Sequence, residues 1–234
     1  MTDASPKPVV PHRIAKLQSR LRSQLVPWVY RGFIEDFALL RNNVTLMDEL
    51  IEERRLQYDS KFQEAIATME KDEAAFYADF MLEETTFIEM LPQLQWRSQY
   101  LMIYATFEHA LNQVCAVALQ RLELHSDQSQ KRSSVLERTK ICLKKCSVQV
   151  DWGKAGWQRI GIHAKLRNKL VHANGVFTAS DPEKTLIAKL PGVQLKAEDD
   201  EITVLLGTET LLDAINVMHD SLLSLANYEH PDLA

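Results

Sequence analysis

The segment from Arg167 to His172 combines side chains that can handle a phosphate. Arginine presents a planar fork of donors that matches phosphate oxygens. Histidine is the side chain whose unperturbed pKa permits proton transfer near neutral pH. Asn168 adds an amide four residues before His172, on a neighbouring part of the same helical face. The segment therefore predicts a phosphate-handling site on a helix.

The spacing of Arg167 and His172 limits what one helix can do with them. Five residues apart, they point roughly 140° from each other on an ideal helix of about 3.6 residues per turn. Either the helix distorts near Asn174-Gly175, which form a C-cap pair, or residues from two helices meet. The second option predicts a dimer with a shared site.

Arg167 is predicted to lie on a core-facing stripe. The stripe recurs at steps of three and four and consists of Trp157, Ile160, Ala164, Arg167 and Val171. A guanidinium on such a stripe needs a partner, because burying an unpaired charge is costly. The alternative is a helix end where the arginine makes a salt bridge and the histidine caps carbonyls. One turn earlier, His163 could contact the same phosphate.

The Arg-Asn dipeptide also occurs at Arg41-Asn42, where Leu46 stands in place of the histidine. The dipeptide alone therefore carries little weight. The histidine distinguishes the later copy.

Basic residues are concentrated around the motif, although the formal net charge of the chain is -5. Residues 131–169 contain eleven basic and two acidic side chains, a local charge of +9. Such clustering is typical of a polyanion-binding surface, and solvated helix faces are the alternative. The lysines predicted to contact the polyanion are Lys140, Lys144, Lys145, Lys165 and Lys169.

An upstream segment, residues 99–119, predicts a helix with one wholly apolar face. That face contains Ile103, Phe107, Ala110, Val114 and Val117. A neighbouring line places Glu108 and Asn112 among apolar residues, as candidates for a buried polar pair. A buried carboxylate invites a cationic partner, for which we favour Arg167. The alternative is a helix turned so that Glu108 faces water.

With these features together, the chain resembles the HEPN superfamily of helical bundles. The family motif is an Arg, usually followed by Asn, Asp or His, and then a His after four to six positions. The segment Arg167-Asn168-Lys169-Leu170-Val171-His172 matches this motif, with four residues between the arginine and the histidine. The stretch Tyr104-Ala105-Thr106-Phe107-Glu108 resembles an earlier core helix, and the chain from Gly192 onward resembles the bacterial RiboL-PSP group. The resemblance covers about residues 96–228.

The resemblance implies a metal-independent endoribonuclease without a cofactor, of the kind found in toxin–antitoxin, abortive-infection and antiviral defence systems. Arg167 would hold the scissile phosphate and stabilise the transition state. His172 would act in general acid–base catalysis of attack by the RNA 2′-hydroxyl, leaving a 2′,3′-cyclic phosphate. Asn168 would position the phosphate or His172. The site would be composite, built across a homodimer.

In such a site, Glu108, Asn112 and His163 would support the catalytic residues. The five lysines named above, between Lys140 and Lys169, would contact RNA. Two other functions remain open. One is a non-catalytic HEPN-like module that dimerises or binds a ligand. The other is a toxin component that is inactive until an antitoxin or other regulatory partner releases it.

The fold class is predicted as all-α, because the chain has only seven glycines and long stretches of helix formers. We expect helices at 11–26, 29–55, 57–91, 94–123, 132–147, 154–173 and 208–228, with breaks at Pro27 and Pro92. Residues 193–196 and 201–206 predict a small β-hairpin before the last helix. The expected organisation is a disordered arm (1–10), a helical extension (11–95) and a HEPN-like domain (96–234).

The helical extension is acidic. Residues 48–89 carry thirteen acidic and four basic side chains, a net charge of -9. This segment is either a solvated outer face or an arm that folds over the basic motif surface and restrains RNA access.

No segment approaches the ~20 apolar residues that span a bilayer, and the first residues lack a signal-peptide core. We therefore expect a cytoplasmic protein without a membrane partner. Three cysteines cannot form an even disulfide framework, and Cys142 and Cys146 are expected to pack as small thiols without a metal.

Overall fold

The computed structural model describes residues 12–125, 133–198 and 200–233, which form eight α-helices and three β-strands. The helices are α1 (His12–Ser23), α2 (Gly32–Ile66), α3 (Lys71–Phe80), α4 (Leu82–Arg121), α5 (Val135–Lys145), α6 (Ala155–Ala173), α7 (Lys184–Ile187) and α8 (Thr208–Ala226). The strands are β1 (Val176–Thr178), β2 (Gln194–Glu198) and β3 (Glu201–Leu205). The predicted helical class with a small sheet before the last helix is confirmed. The arm expected at residues 1–10 lies outside the described residues.

The helix bounds agree with the sequence prediction best at α6 and α8. Two predicted breaks in the first half are wrong, since α2 continues through residue 56 and Pro92 lies inside α4. A proline removes one backbone donor and crowds the preceding turn. The side chains of Trp96 and Tyr100, four and eight residues later, are buried, and their packing offsets that local cost.

The described chain divides into two compact units. Unit 1 takes the described residues of Met1–Glu35, Glu108–Asp151 and Asp220–Ala234, and unit 2 takes those of Asp36–Phe107 and Trp152–His219. The domain boundary predicted at residue 95 falls inside α4. The predicted division into a helical extension and a HEPN-like domain stays a prediction.

Unit 2 contains the sheet, whose strand order is β1-β3-β2 with both pairs antiparallel. The pairing of Gln194 with Leu205 sets the register of β2 against β3 and confirms the predicted hairpin. Sequence patterns missed β1, because three residues are too few for a visible alternation. The core helices of this unit bury Trp96, Tyr100, Ile103, Phe107, Trp157, Ile160, Leu166, Leu170, Leu211, Ile215 and Met218.

Unit 1 is built from α1, α5 and the ends of α4 and α8. Its chain ends are joined by backbone hydrogen bonds, in which Leu25 donates to Tyr228 (2.8 Å) and His230 donates to Ser23 (2.7 Å). Its buried apolar side chains include Leu25, Val26, Ala110, Leu111, Val114, Ala118, Leu143, Leu222 and Leu225. The apolar face predicted for α4 is confirmed, with Val117 half-buried at its end.

None of the helices in the described part of the chain has the length and apolar character that a bilayer-spanning segment needs.

Candidate functional site

The last turn of α6 ends in the predicted C-cap. Asn174 adopts the left-handed conformation (φ 49°, ψ 30°), and Gly175 also has positive φ (76°). The amide of Gly175 donates to the carbonyl of Lys169 at 3.0 Å, which satisfies a helix-end acceptor. A Cβ at position 175 would lie 3.2 Å from the Leu170 side chain, so glycine suits both the conformation and the space.

Arg97 of α4 fixes this end of α6. Its guanidinium donates to the carbonyl (3.2 Å) and side-chain oxygen (3.3 Å) of Asn174 and to the carbonyl of Val204 in β3 (3.0 Å). Burial lowers the pKa of Arg97, because desolvation disfavours the charged form. Sequence reasoning missed Arg97, since one arginine on a long helix has no spacing that reveals its carbonyl partners.

The core-facing side of α6 differs from the predicted stripe. The buried residues are Trp157, Ile160, His163, Leu166 and Leu170. Val171 is 46% exposed and Arg167 is half-buried, so the prediction is wrong beyond Ile160. Trp157 and Ile160 are compatible with two continuations along the helix. The buried continuation runs through His163, Leu166 and Leu170. A search for apolar spacing misses it because histidine is not an apolar residue.

His163 has no exposed surface, and both of its ring nitrogens have partners. The Tyr100 hydroxyl lies 2.9 Å from Nδ1, and a carboxylate oxygen of Asp213 lies 3.0 Å from Nε2. Arg159 forms an ion pair with the same carboxylate oxygen at 3.1 Å. The expected contact of His163 with a bound phosphate is therefore wrong, because its polar atoms are used inside the core. Burial, assisted by Tyr104 and Asp213, raises the pKa of Tyr100 well above its ordinary value.

Arg167 lies beside a buried aromatic ring of α4. Its guanidinium carbon is 5.9 Å from the ring centroid of Tyr104, and its Nη1 donates to Oδ1 of Asn168 at 3.2 Å. A cation over a tyrosine face is attracted by the ring quadrupole. Tyr104 and Asn168 thus hold the guanidinium near the surface, where Asn168 itself is exposed.

His172 lies on the last turn of α6 and is exposed. Among the described residues, its imidazole ring makes no hydrogen bond or ion pair. An exposed imidazole with open nitrogens can accept or donate a proton to a molecule from solution. Arg167, Asn168 and His172 therefore occupy the last two turns of one helix, next to a rigid cap.

The two predicted RNA-binding lysines of α6 already have carboxylate partners. Lys165 pairs with Glu183 at 2.7 Å, and Lys169 pairs with Asp181. The hydrogen bond from Lys169 lowers the pKa of Asp181, assisted by the backbone amide of Glu183. Both carboxylates lie in the connection between β1 and α7, close in sequence to neither lysine.

The other three predicted lysines belong to unit 1. Lys140 pairs with Glu137 at 2.7 Å, and Lys145 donates to the carbonyl of His125 at 2.7 Å. Lys144 is exposed. The concentration of basic residues along the sequence is thus partly neutralised by local carboxylates.

Asn112 is exposed and Glu108 is half-buried, so the predicted buried polar pair is wrong. Beside them, the buried positions of α4 are apolar and include Phe107, Ala110 and Leu111. Glu108 belongs to unit 1 and Arg167 to unit 2, and their predicted pairing stays a prediction.

Within residues 12–125, 133–198 and 200–233, no three or more His, Cys, Asp or Glu side chains are grouped as metal ligands. No family model, curated protein or solved structure matches the chain.

Proposed function

We propose that the protein is a metal-independent endoribonuclease of the HEPN type, with Arg167, Asn168 and His172 as its active-site residues. The observation that carries the proposal is the exposure of Asn168 and His172 on the last two turns of α6, beside an arginine held on the Tyr104 ring. The hydrogen bonds of Arg97 to Asn174 and of the Gly175 amide to Lys169 keep these turns in place.

In the proposed reaction, Arg167 binds the scissile phosphate through its fork of donors and stabilises the charge that develops on it. Asn168 orients that guanidinium through the hydrogen bond at 3.2 Å. A 2′-hydroxyl loses its proton to a His172 imidazole and attacks the adjacent phosphorus. The bond from phosphorus to the 5′-oxygen breaks, and the leaving oxygen takes a proton from an imidazolium. DNA lacks the attacking hydroxyl and is not a substrate.

The proposal includes a homodimer. On one helix, Arg167 and His172 diverge by roughly 140°, which leaves one histidine poorly placed to serve the phosphate on its own arginine. A second copy would bring another His172 to the opposite side of that phosphate. One imidazole would then act as base and the other as acid.

The test is cleavage of a mixed RNA pool in excess EDTA by the wild type, Arg167→Ala and His172→Ala. Arg41→Ala is the matched control, because Arg41-Asn42 repeats the dipeptide without the histidine. We expect cyclic-phosphate ends from the wild type and the control, and none from the two site variants. Equal cleavage by folded His172→Ala would refute the assignment.

A partner-gated toxin component is the second candidate. The ion pairs of Lys165 with Glu183 and Lys169 with Asp181 favour it, because RNA would have to displace carboxylates from both lysines. In that case a folded wild-type dimer would bind RNA weakly and cleave it only after the partner is added or removed.

A further inference from the structure

Two of the three cysteines meet in unit 1. Cys115 lies on α4, Cys142 lies on α5, and both are half-buried free thiols. The Cys142 sulfur donates to the carbonyl of Cys115 at 3.7 Å, and the two thiols are close enough to interact through their side chains. Spacing along the sequence pairs Cys142 with Cys146, four residues apart, whereas the fold brings Cys142 to Cys115 on another helix.

The two thiols are not equivalent. The hydrogen bond from Cys142 lowers the pKa of Cys115, assisted by the Thr139 hydroxyl and the charge of Arg138. The same hydrogen bond, together with burial, raises the pKa of Cys142. Cys115 is therefore the thiol that ionises first, and the thiolate is the reactive form of a cysteine.

Cys146 is the least accessible of the three. It forms the C-cap of α5 and is 1% exposed, and its carbonyl oxygen lies 2.7 Å from the His230 ring. Burial raises the pKa of its thiol. An oxidant from solution would thus meet Cys115 before Cys146.

We propose that Cys115 and Cys142 form a redox-active dithiol, which a hydroperoxide converts to a disulfide between α4 and α5. The Cys115 thiolate attacks the peroxide, forming a sulfur–oxygen bond as the oxygen–oxygen bond breaks. The Cys142 sulfur then attacks the Cys115 sulfur, forming the disulfide as the oxygen leaves in water. With hydrogen peroxide, two thiols are oxidised, and one peroxide is reduced to two waters.

The test treats the full-length protein with a small excess of hydrogen peroxide and then alkylates the remaining thiols. We expect a mass loss of two hydrogens, one alkylated thiol, a Cys115–Cys142 peptide after digestion and full reversal by dithiothreitol. Three alkylated thiols, or a main cross-link to Cys146 or between two chains, would overturn the proposal.

Variants separate the two roles and guard against misfolding. Cys146→Ser is the matched control and should form the disulfide at the wild-type rate. Cys142→Ser should stop at the sulfenic acid, which dimedone labels at position 115. Cys115→Ser should form disulfide at least about tenfold more slowly, because its remaining thiols ionise less readily. A circular-dichroism melting curve of each reduced variant verifies folding.

Discussion

The middle and the end of α6 carry two histidines in opposite surroundings. His163 is fully buried between Tyr100 and Asp213, whereas His172 is exposed on the last turn. Buried polar groups whose hydrogen bonds are complete stabilise and specify a core. Exposed groups with open nitrogens are available to a substrate. His163 therefore contributes to stability, whereas His172, nine positions later, has the proposed chemical role.

The two Arg-Asn dipeptides differ in a similar way. Arg41 of α2 donates to the side chain of Asn216 in α8, which makes it a link between helices of unit 2. Arg167 donates to its neighbour Asn168 and contacts the Tyr104 ring. The same dipeptide therefore has a structural role in one place and a proposed substrate-binding role in the other.

The largest expected effect is on catalysis at the end of α6. His172→Ala should lower the rate of RNA cleavage by about 10²–10⁴-fold, the usual contribution of general acid–base catalysis. Its free energy of unfolding should stay within about 0.5 kcal/mol of the wild type, because the side chain is exposed. Single-turnover cleavage and urea unfolding measure the two quantities. If His172→Ala lost as much stability as a core variant, His172 would have a structural role like that of His163, and the contrast between the two histidines would be wrong.

The complementary change in the middle of α6 is His163→Ala. It should lower the free energy of unfolding by about 3 kcal/mol, because it leaves a cavity and strips partners from Tyr100 and Asp213. Urea unfolding measures this, with His172→Ala as the matched histidine control. Under conditions where the variant stays folded, its cleavage rate should remain close to wild type. Loss of cleavage by the folded protein would show that the two histidines are not separate in function.

A smaller effect is expected for RNA affinity. Asp181→Asn combined with Glu183→Gln should raise affinity several-fold at low salt, because Lys169 and Lys165 lose their carboxylate partners. Fluorescence anisotropy with labelled RNA measures the change. The control, Glu52→Gln with Glu53→Gln, removes two exposed charges from α2. An equal gain in the control would assign the effect to net charge alone.

The smallest effect is the pH dependence of the Asp181–Lys169 pair. Because Lys169 lowers the pKa of Asp181, the pair stabilises the fold above the ordinary aspartate pKa of about 3.9. This stabilisation is lost as the pH falls through the lower, folded-state pKa. Asp181→Asn should therefore be less stable than wild type at pH 7, by under about 1 kcal/mol, and the difference should vanish in acid. Urea unfolding at pH 7 and at low pH measures it, and a difference that persists in acid would contradict this origin.

Local patterns explain which parts of the fold were predictable. The C-cap at Asn174-Gly175 and the β2–β3 hairpin follow from residue types that are adjacent in sequence. The continuation of α4 through Pro92 and the pairing of β1 with β3 depend on partners distant along the chain. Those partners have no signature in a single sequence, because propensity is weak and tertiary packing overrides it.

The candidate site also combines features that local sequence predicts with features that depend on distant partners. The sequence by itself determined that an arginine, an asparagine and a histidine lie at the end of one helix, since helix propensity and the Asn174-Gly175 cap are short-range properties. Only the tertiary structure decided that His163 faces the core, that Tyr104 supports Arg167, and that Arg97 clamps the cap. These assignments depend on which polar atoms find partners across the fold, because burial is favourable for a polar side chain only when its hydrogen bonds are met.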